Sequence, residues 1–300
     1  MLNVILETCA GTLTQGLIYA ILSYGIFITY KILDFPDLTV DGSFPLGAAV
    51  TAVLLTHGVN AWLTLPIALV IGALAGLCTG LIHVRAKVRD LLAGIITMTA
   101  LYSINLQIAG SNLMVERAID TIYTSAPVMA LLGSVPLLYR KLIVSLVLVV
   151  LIVLEWYFST KNGLLLRAVG DNDTLVTTLA VDKGSMKILG LVIANALVAL
   201  SGCIVCQEGR SFSATMGTGQ MVFGLAAVII GTTLFRRMSF VKGTAAVVIG
   251  SILYKACIQI AILLGLPGNM LKFITAALFL VILITGNLSG RKGGADRAGA

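Results

Sequence analysis

Three carboxylates interrupt an apolar stretch in the run Asp34-Phe-Pro-Asp-Leu-Thr-Val-Asp-Gly-Ser43, where Asp34, Asp37 and Asp41 flank Pro36. An ionisable group at membrane depth is costly to desolvate, which makes it a functional candidate by default. The same residues cost little in a solvated loop, and by themselves they leave both readings open. A second polar interruption, Gly217-Thr-Gly-Gln-Met-Val-Phe-Gly224, follows Glu208, Arg210, Ser211 and Ser213. Each run passes from Gly-rich polar residues into a short apolar helix. Gly42-Ser-Phe-Pro-Leu-Gly-Ala-Ala-Val50 and Gly219-Gln-Met-Val-Phe-Gly-Leu-Ala-Ala-Val228 are weakly alike. Paired, interrupted segments entering a membrane from opposite faces are what an inverted-repeat transporter shows. Chance is the rival reading, since Gly and Ala are common in membrane helices.

Other reactive side chains are sparse. Cys203 and Cys206 form C-x-x-C at the end of an apolar span, without a second pair or a nearby His, so helix packing is the favoured reading. Cys9, Cys78 and Cys257 are scattered, and His57 and His83 lie at span ends. No metal site is expected from them. The sequence contains no G-x-x-x-x-G-K-[ST] loop, no H-E-x-x-H and no G-x-S-x-G, so neither ATP binding of that type nor an enzyme is expected.

These residues must be positioned in a membrane. Of 300 residues, 58% are hydrophobic and only 11% are charged. A soluble domain needs about 25% charged residues to face water. Much of this exterior therefore faces lipid. The net charge of +7 does not imply nucleic acid, because the basic residues fall in short clusters between apolar runs. Nor does the N-terminus read as a cleavable signal: Met1–Ala10 lacks a basic region and carries Glu7, so the first apolar run is expected to stay as a membrane helix.

Spans are expected near Gly11–Tyr30, Pro45–Thr56, Trp62–Ile82, Leu91–Ala109 and Leu142–Phe158. Four more follow at Met186–Cys206, Met221–Phe235, Thr244–Leu264 and Leu271–Thr285. The fold class is thus all-α, a single polytopic domain of about nine transmembrane helices over residues 1–300, with one or two of them short or broken. Nine spans put four basic clusters on one face: Arg85–Arg89, Lys161–Lys187, Arg236–Lys242 and Arg291–Arg297. By the positive-inside rule that face is the cytoplasm, with the N-terminus outside and the C-terminus, tail 286–300, inside. The stretch Ser111–Lys141 fits less well, because it falls outside yet holds Arg117, Arg140 and Lys141.

The loop Ser159–Gly184 contains Gly163-Leu-Leu-Leu-Arg-Ala-Val-Gly-Asp-Asn-Asp173, then the amphipathic stretch Thr174–Val181. An apolar face inside the cell wants a partner surface, or else the lipid interface. Gly72, Gly76 and Gly80 recur every four residues and predict a close helix–helix contact.

Four segments resemble the branched-chain amino acid and ribose class of ABC importer permeases, in order and along nearly the whole chain. They are Gly16-Leu-Ile-Tyr-Ala-Ile-Leu-Ser-Tyr-Gly25, Ile32-Leu-Asp-Phe-Pro-Asp-Leu-Thr-Val-Asp-Gly42, Gly163-Leu-Leu-Leu-Arg-Ala-Val-Gly170 and Gly224-Leu-Ala-Ala-Val-Ile-Ile-Gly231. The second is similar to a subgroup associated with tryptophan or other aromatic amino acids. The chain lacks the extra N-terminal span of ribose-type relatives, which favours an amino acid or related solute.

The resemblance implies a permease subunit of the bacterial inner membrane, without a cofactor of its own, paired as a homodimer or with a close homologue. An ABC ATPase subunit would seat on Leu166, Arg167, Gly170, Asp171 and Asn172, and an extracytoplasmic substrate-binding protein would deliver solute. Asp37, Thr39, Asp41 and Gly42 match one interrupted segment beside the path, and Met216, Gly217, Gly219 and Gly224 its counterpart. The alternative is a carrier driven by an ion gradient, with Asp37, Asp41 or Glu208 as ion sites.

Overall fold

The computed structural model describes residues 2–132, 182–235 and 243–265, with isolated positions at 136, 141, 163 and between 270 and 281. Among the described residues, five helices are long and apolar enough to cross a membrane, and two shorter apolar helices accompany them. Seven of the expected spans correspond to these. Leu142–Phe158 and most of Leu271–Thr285 lie outside the described residues, as does nearly all of the loop Ser159–Gly184.

The first helix, α1 (Leu2–Ile26), runs into a π-helical turn over Phe27–Ile32 and so starts earlier than expected. Asp34 then takes a φ of 51°, a left-handed conformation that a short polar side chain tolerates. Next, α2 spans Val40–Thr56, beginning before the expected Pro45. Proline has no N–H to give the carbonyl of Asp41 one turn back. That carbonyl packs against Gly217, where any β-carbon would collide with it. The backbone of the second interrupted segment thus occupies the place where Pro45 leaves α2 without its hydrogen bond.

Asn60 caps α3 (Ala61–Val84) by accepting from the N–H of Trp62 at 3.0 Å. Gly110, at φ 70°, ends α4 (Asp90–Ala109). After the short α5 (Ala126–Leu132) come α6 (Lys183–Gly209), α7 (Gln220–Leu234) and α8 (Gly243–Leu263).

The all-α expectation omits one feature, an antiparallel ribbon. It joins β1 (Asn112–Met114) to β2 (Ser211–Ser213), with Leu113 opposite Phe212. The ribbon ties the C-terminal ends of α4 and α6 to one side of the bundle. There Arg210, left-handed at φ 51°, donates to the carbonyls of Glu116 and Ile119, both at 2.8 Å. Lys141 pairs with Glu208 at 2.6 Å on the same connection.

At the centre stands α6, packed on α1, α2 and α3. The Gly72, Gly76 and Gly80 stripe lies against it, with the β-carbon positions meeting the backbone of Asn195–Ala196, Leu191–Val192 and Ile188. Gly47 meets Ala199 and Gly202 meets Phe44, so α2 and α6 also touch backbone to backbone. Such small-residue contacts substitute for the hydrophobic drive that lipid cannot provide. Cys203 and Cys206 are both buried within this packing. Leu63, Val70 and Leu74 of α3 and Leu91, Leu92 and Ile96 of α4 point outward, forming an apolar exterior suited to acyl chains.

Candidate functional site

The two interrupted segments meet. Asp41, in the first turn of α2, accepts from the N–H of Gly219 at 2.9 Å and of Met221 at 2.8 Å, one bond to each carboxylate oxygen. Gly219 flanks the N-terminus of α7 and, having no side chain, cannot cap it. Asp41 caps α7 from across the chain, placing negative charge at the positive end of that helix. Gly219 stands at φ 88°, a conformation that glycine adopts without strain.

Behind this junction lies a knot of buried polar groups. Asp37 is 1% exposed; its carboxylate accepts from the N–H of Thr39 at 2.9 Å and from Nδ2 of Asn195 at 2.7 Å. Ser43 donates to Oδ1 of Asn195 at 2.7 Å, and Thr39 meets the hydroxyl of Thr79 at 2.8 Å. Asn105 of α4 donates to the carbonyl of Gly42 at 3.1 Å. The start of α2 is therefore fixed to α3, α4 and α6 by side-chain hydrogen bonds in a water-poor interior, although Oδ1 of Asn105 is buried without a partner among the described residues. A solvated loop is not what these residues form.

Two cavities flank the 214–219 loop, and Thr215 and Thr218 line both. One, of about 420 Å³, is bordered by Asp41, Gly42, Pro45 and Tyr102. The other, of about 530 Å³, is bordered by Met216, Gly219, Gln220, Phe223 and Lys255. Both volumes fall in the range that holds small solutes.

Lys255 was not among the residues the sequence reading selected. It lies about 18 Å along α8 from Gly243, which for a spanning helix is close to mid-membrane. Its Nζ sits 3.5 Å from the ring centroid of Tyr19 and 5.1 Å from that of Phe223. Those rings belong to an aromatic row: Phe44, Tyr19, Phe223 and Tyr254, with successive centroids 5.9, 4.9 and 4.9 Å apart. Contact with a ring face gives a desolvated ammonium roughly 2 kcal/mol, against a desolvation cost of several kcal/mol.

The selected residues thus divide. Asp41, Gly42, Met216, Gly217 and Gly219 come together at the junction of α2 and α7. Asp37 and Thr39 lie in the knot, and Gly224 packs against Leu22 and Ile26 of α1. Leu166, Arg167, Gly170, Asp171 and Asn172 lie outside the described residues. Asn195, Asn105, Thr79 and Lys255 went unselected. The available signal was a polar residue inside an apolar span, which membrane cost makes informative.

Comparison with known proteins gives one family. The family described as branched-chain amino acid transport system, permease component, matches residues 8–283. A tyrosine transport system permease protein of Clostridioides difficile is 39% identical over 279 residues, covering 93% of this chain and 91% of that protein. An uncharacterized protein of Rickettsia prowazekii is 34% identical over 227 residues, 74% of this chain and 76% of its own length. A ribose import permease protein of Haemophilus influenzae is 26% identical, covering 78% of this chain and 68% of that protein. No solved structure matches the chain.

Proposed function

The chain belongs to the branched-chain amino acid transport permease family, and from that premise we propose that it is the membrane subunit of an ATP-driven importer for an amino acid with an aromatic side chain. The observation that carries the proposal is the junction of the two interrupted segments at Asp41, between two solute-sized cavities. From it, α2 continues into the packing of α3, α4 and α6, while α7 packs on α1 and α8. Two shorter helices that start at one point and join different packing groups suit an inverted repeat working by alternating access. The likeness to a tyrosine permease over nearly the whole chain supports the substrate class.

In this reading nine spans leave the N-terminus outside and the C-terminus in the cytoplasm. Two copies pair around the path, and an extracytoplasmic binding protein delivers the solute. An ATPase subunit docks on Leu166, Arg167, Gly170, Asp171 and Asn172, so that its closure moves the spans. The gradient-driven alternative is less well supported, because Asp37, Asp41 and Glu208 are each engaged by protein donors.

The test is purification of the tagged chain from its own membrane in mild detergent, followed by reconstitution. Expected are a co-purifying nucleotide-binding subunit and uptake of tyrosine or a related amino acid that requires ATP. A chain recovered alone and driving uptake on an ion gradient without ATP overturns the reading.

A further inference from the structure

Lys255 and Gln220 line the same cavity, and among the described residues each presents a polar group without a hydrogen-bond partner. No hydrogen bond or ion pair reaches the Lys255 ammonium among the described residues, and its contacts are the rings of Tyr19 and Phe223. Glu208 is held by Lys141 at 2.6 Å. The Gln220 Nε2 donates to the carbonyl of Met216 at 2.8 Å, which fixes the orientation of the amide. Its Oε1 is buried and has no hydrogen-bond partner among the described residues. A buried acceptor without a donor and a mid-span ammonium without an anion are both unfavourable unless something fills them. The remaining wall is largely apolar, with Phe223, Met216, Val222 and Ile258.

We propose that this cavity binds the zwitterionic head of an α-amino acid, its carboxylate on Lys255 Nζ and its ammonium on Gln220 Oε1, with an apolar side chain against Phe223 and Ile258. The proposal rests on the transport reading above and adds to it the two residues that recognise the substrate class. A lysine that snorkelled to a lipid headgroup would direct its ammonium along the helix toward the interface. Here the ammonium turns inward over Tyr19. The two groups are complementary to both charges of an amino acid, whereas an amine or a sugar would leave the ammonium unanswered. Loss of one charge-assisted hydrogen bond weakens binding on the order of 10- to 100-fold.

The experiment uses the full permease with its ATPase subunit in lipid nanodiscs and, in parallel, in proteoliposomes. Equilibrium binding of L-tyrosine and L-leucine is measured without ATP, against their primary amides. Wild type is expected to bind at least one free amino acid and to bind its amide on the order of 10- to 100-fold more weakly. Lys255→Met should erase that preference by weakening the free acid alone, and Lys255→Arg should restore most of it. Gln220→Leu keeps the cation and should weaken the amino acid while sparing the matching carboxylic acid without an amino group. Co-purification with the ATPase subunit is the folding control, and Lys255→Arg and Gln220→Leu decide the matter should Lys255→Met not assemble. Equal binding of acid and amide by wild type overturns the proposal, as does unchanged binding by Lys255→Met. ATP-dependent uptake that persists in Lys255→Met removes the site and leaves the importer reading intact. Lys255-dependent binding without any ATP-dependent uptake does the reverse.

Discussion

Around Asp37 the polar groups answer one another, whereas around Lys255 they do not. Asp37, Asn195, Ser43, Thr39 and Thr79 form a connected set joining α2, α3 and α6, with the bonds among them between 2.7 and 2.9 Å. On the other side of the Asp41 junction, an ammonium faces aromatic rings and a buried carboxamide oxygen has no hydrogen-bond partner among the described residues. Both regions place costly groups deep within an apolar bundle. The first uses them to fix where an interrupted helix begins; the second holds them ready for something that arrives. A buried polar residue in a membrane protein is therefore not evidence of a path until its partners have been counted.

The sharpest way to break this comparison is to remove one member from each side and compare stability. Asn195→Leu deprives the Asp37 carboxylate of its Nδ2 donor and leaves the Ser43 hydroxyl without its acceptor. It should lower stability by about 3 kcal/mol or more. A lowered midpoint of thermal unfolding in detergent would register this. Lys255→Met should shift the same midpoint little or raise it, since it removes an uncompensated charge and keeps the length of the stem. If the two variants move the midpoint downward equally, the distinction between a closed knot and an open site is wrong.

The junction itself comes next in size. Asp41→Asn keeps the volume and one carbonyl acceptor but loses the charge and one of the two bonds to the α7 N-terminus. The expected cost is about 1–2 kcal/mol. It should appear as faster hydrogen exchange at the amides of Gly219 and Met221, with α2 unaffected. Faster exchange spread evenly through α2 would instead show that Asp41 supports its own helix rather than its neighbour.

How far the sequence disclosed this arrangement varies by element, for physical reasons. The Gly72, Gly76 and Gly80 stripe was legible because four-residue spacing keeps small residues on one helical face, and that face does meet α6. The long spans were legible from their apolar length. The start of α2 was not: Pro45 reads as a helix opening, and only the tertiary contact of Gly217 with the freed Asp41 carbonyl explains five helical residues before it. The ribbon joins two three-residue strands, too short for alternation to register. Asp37 and Asp41 drew attention as carboxylates in an apolar setting, yet their different roles depend on partners far away in sequence. Asn195 and Lys255 stood in plain view inside apolar spans. They were outweighed by the denser polar clusters at the span ends.

The smallest effect concerns a cap that is open to water and belongs to neither region. Asp182 accepts from the Ser185 hydroxyl at 2.6 Å and from the N–H groups of Ser185 and Gly184, both at 3.1 Å, at the start of α6. The Ser185 hydroxyl bond is the main cause, with the two amides and the charge of Arg85 adding to it, that holds the carboxyl below its ordinary value of 3.8. A depressed value means the folded chain binds this proton less readily than the unfolded one. The stabilisation is therefore complete above 3.8 and fades as pH falls through the lower folded value. Protection of the Gly184 and Ser185 amides against exchange should decline in that acid window. Asp182→Asn retains an uncharged acceptor, so its protection should be pH-independent there and slightly weaker at neutral pH. Equal acid sensitivity in the variant would assign the titration to another group. A loss confined to the first turn of α6 would show that this cap holds that turn alone.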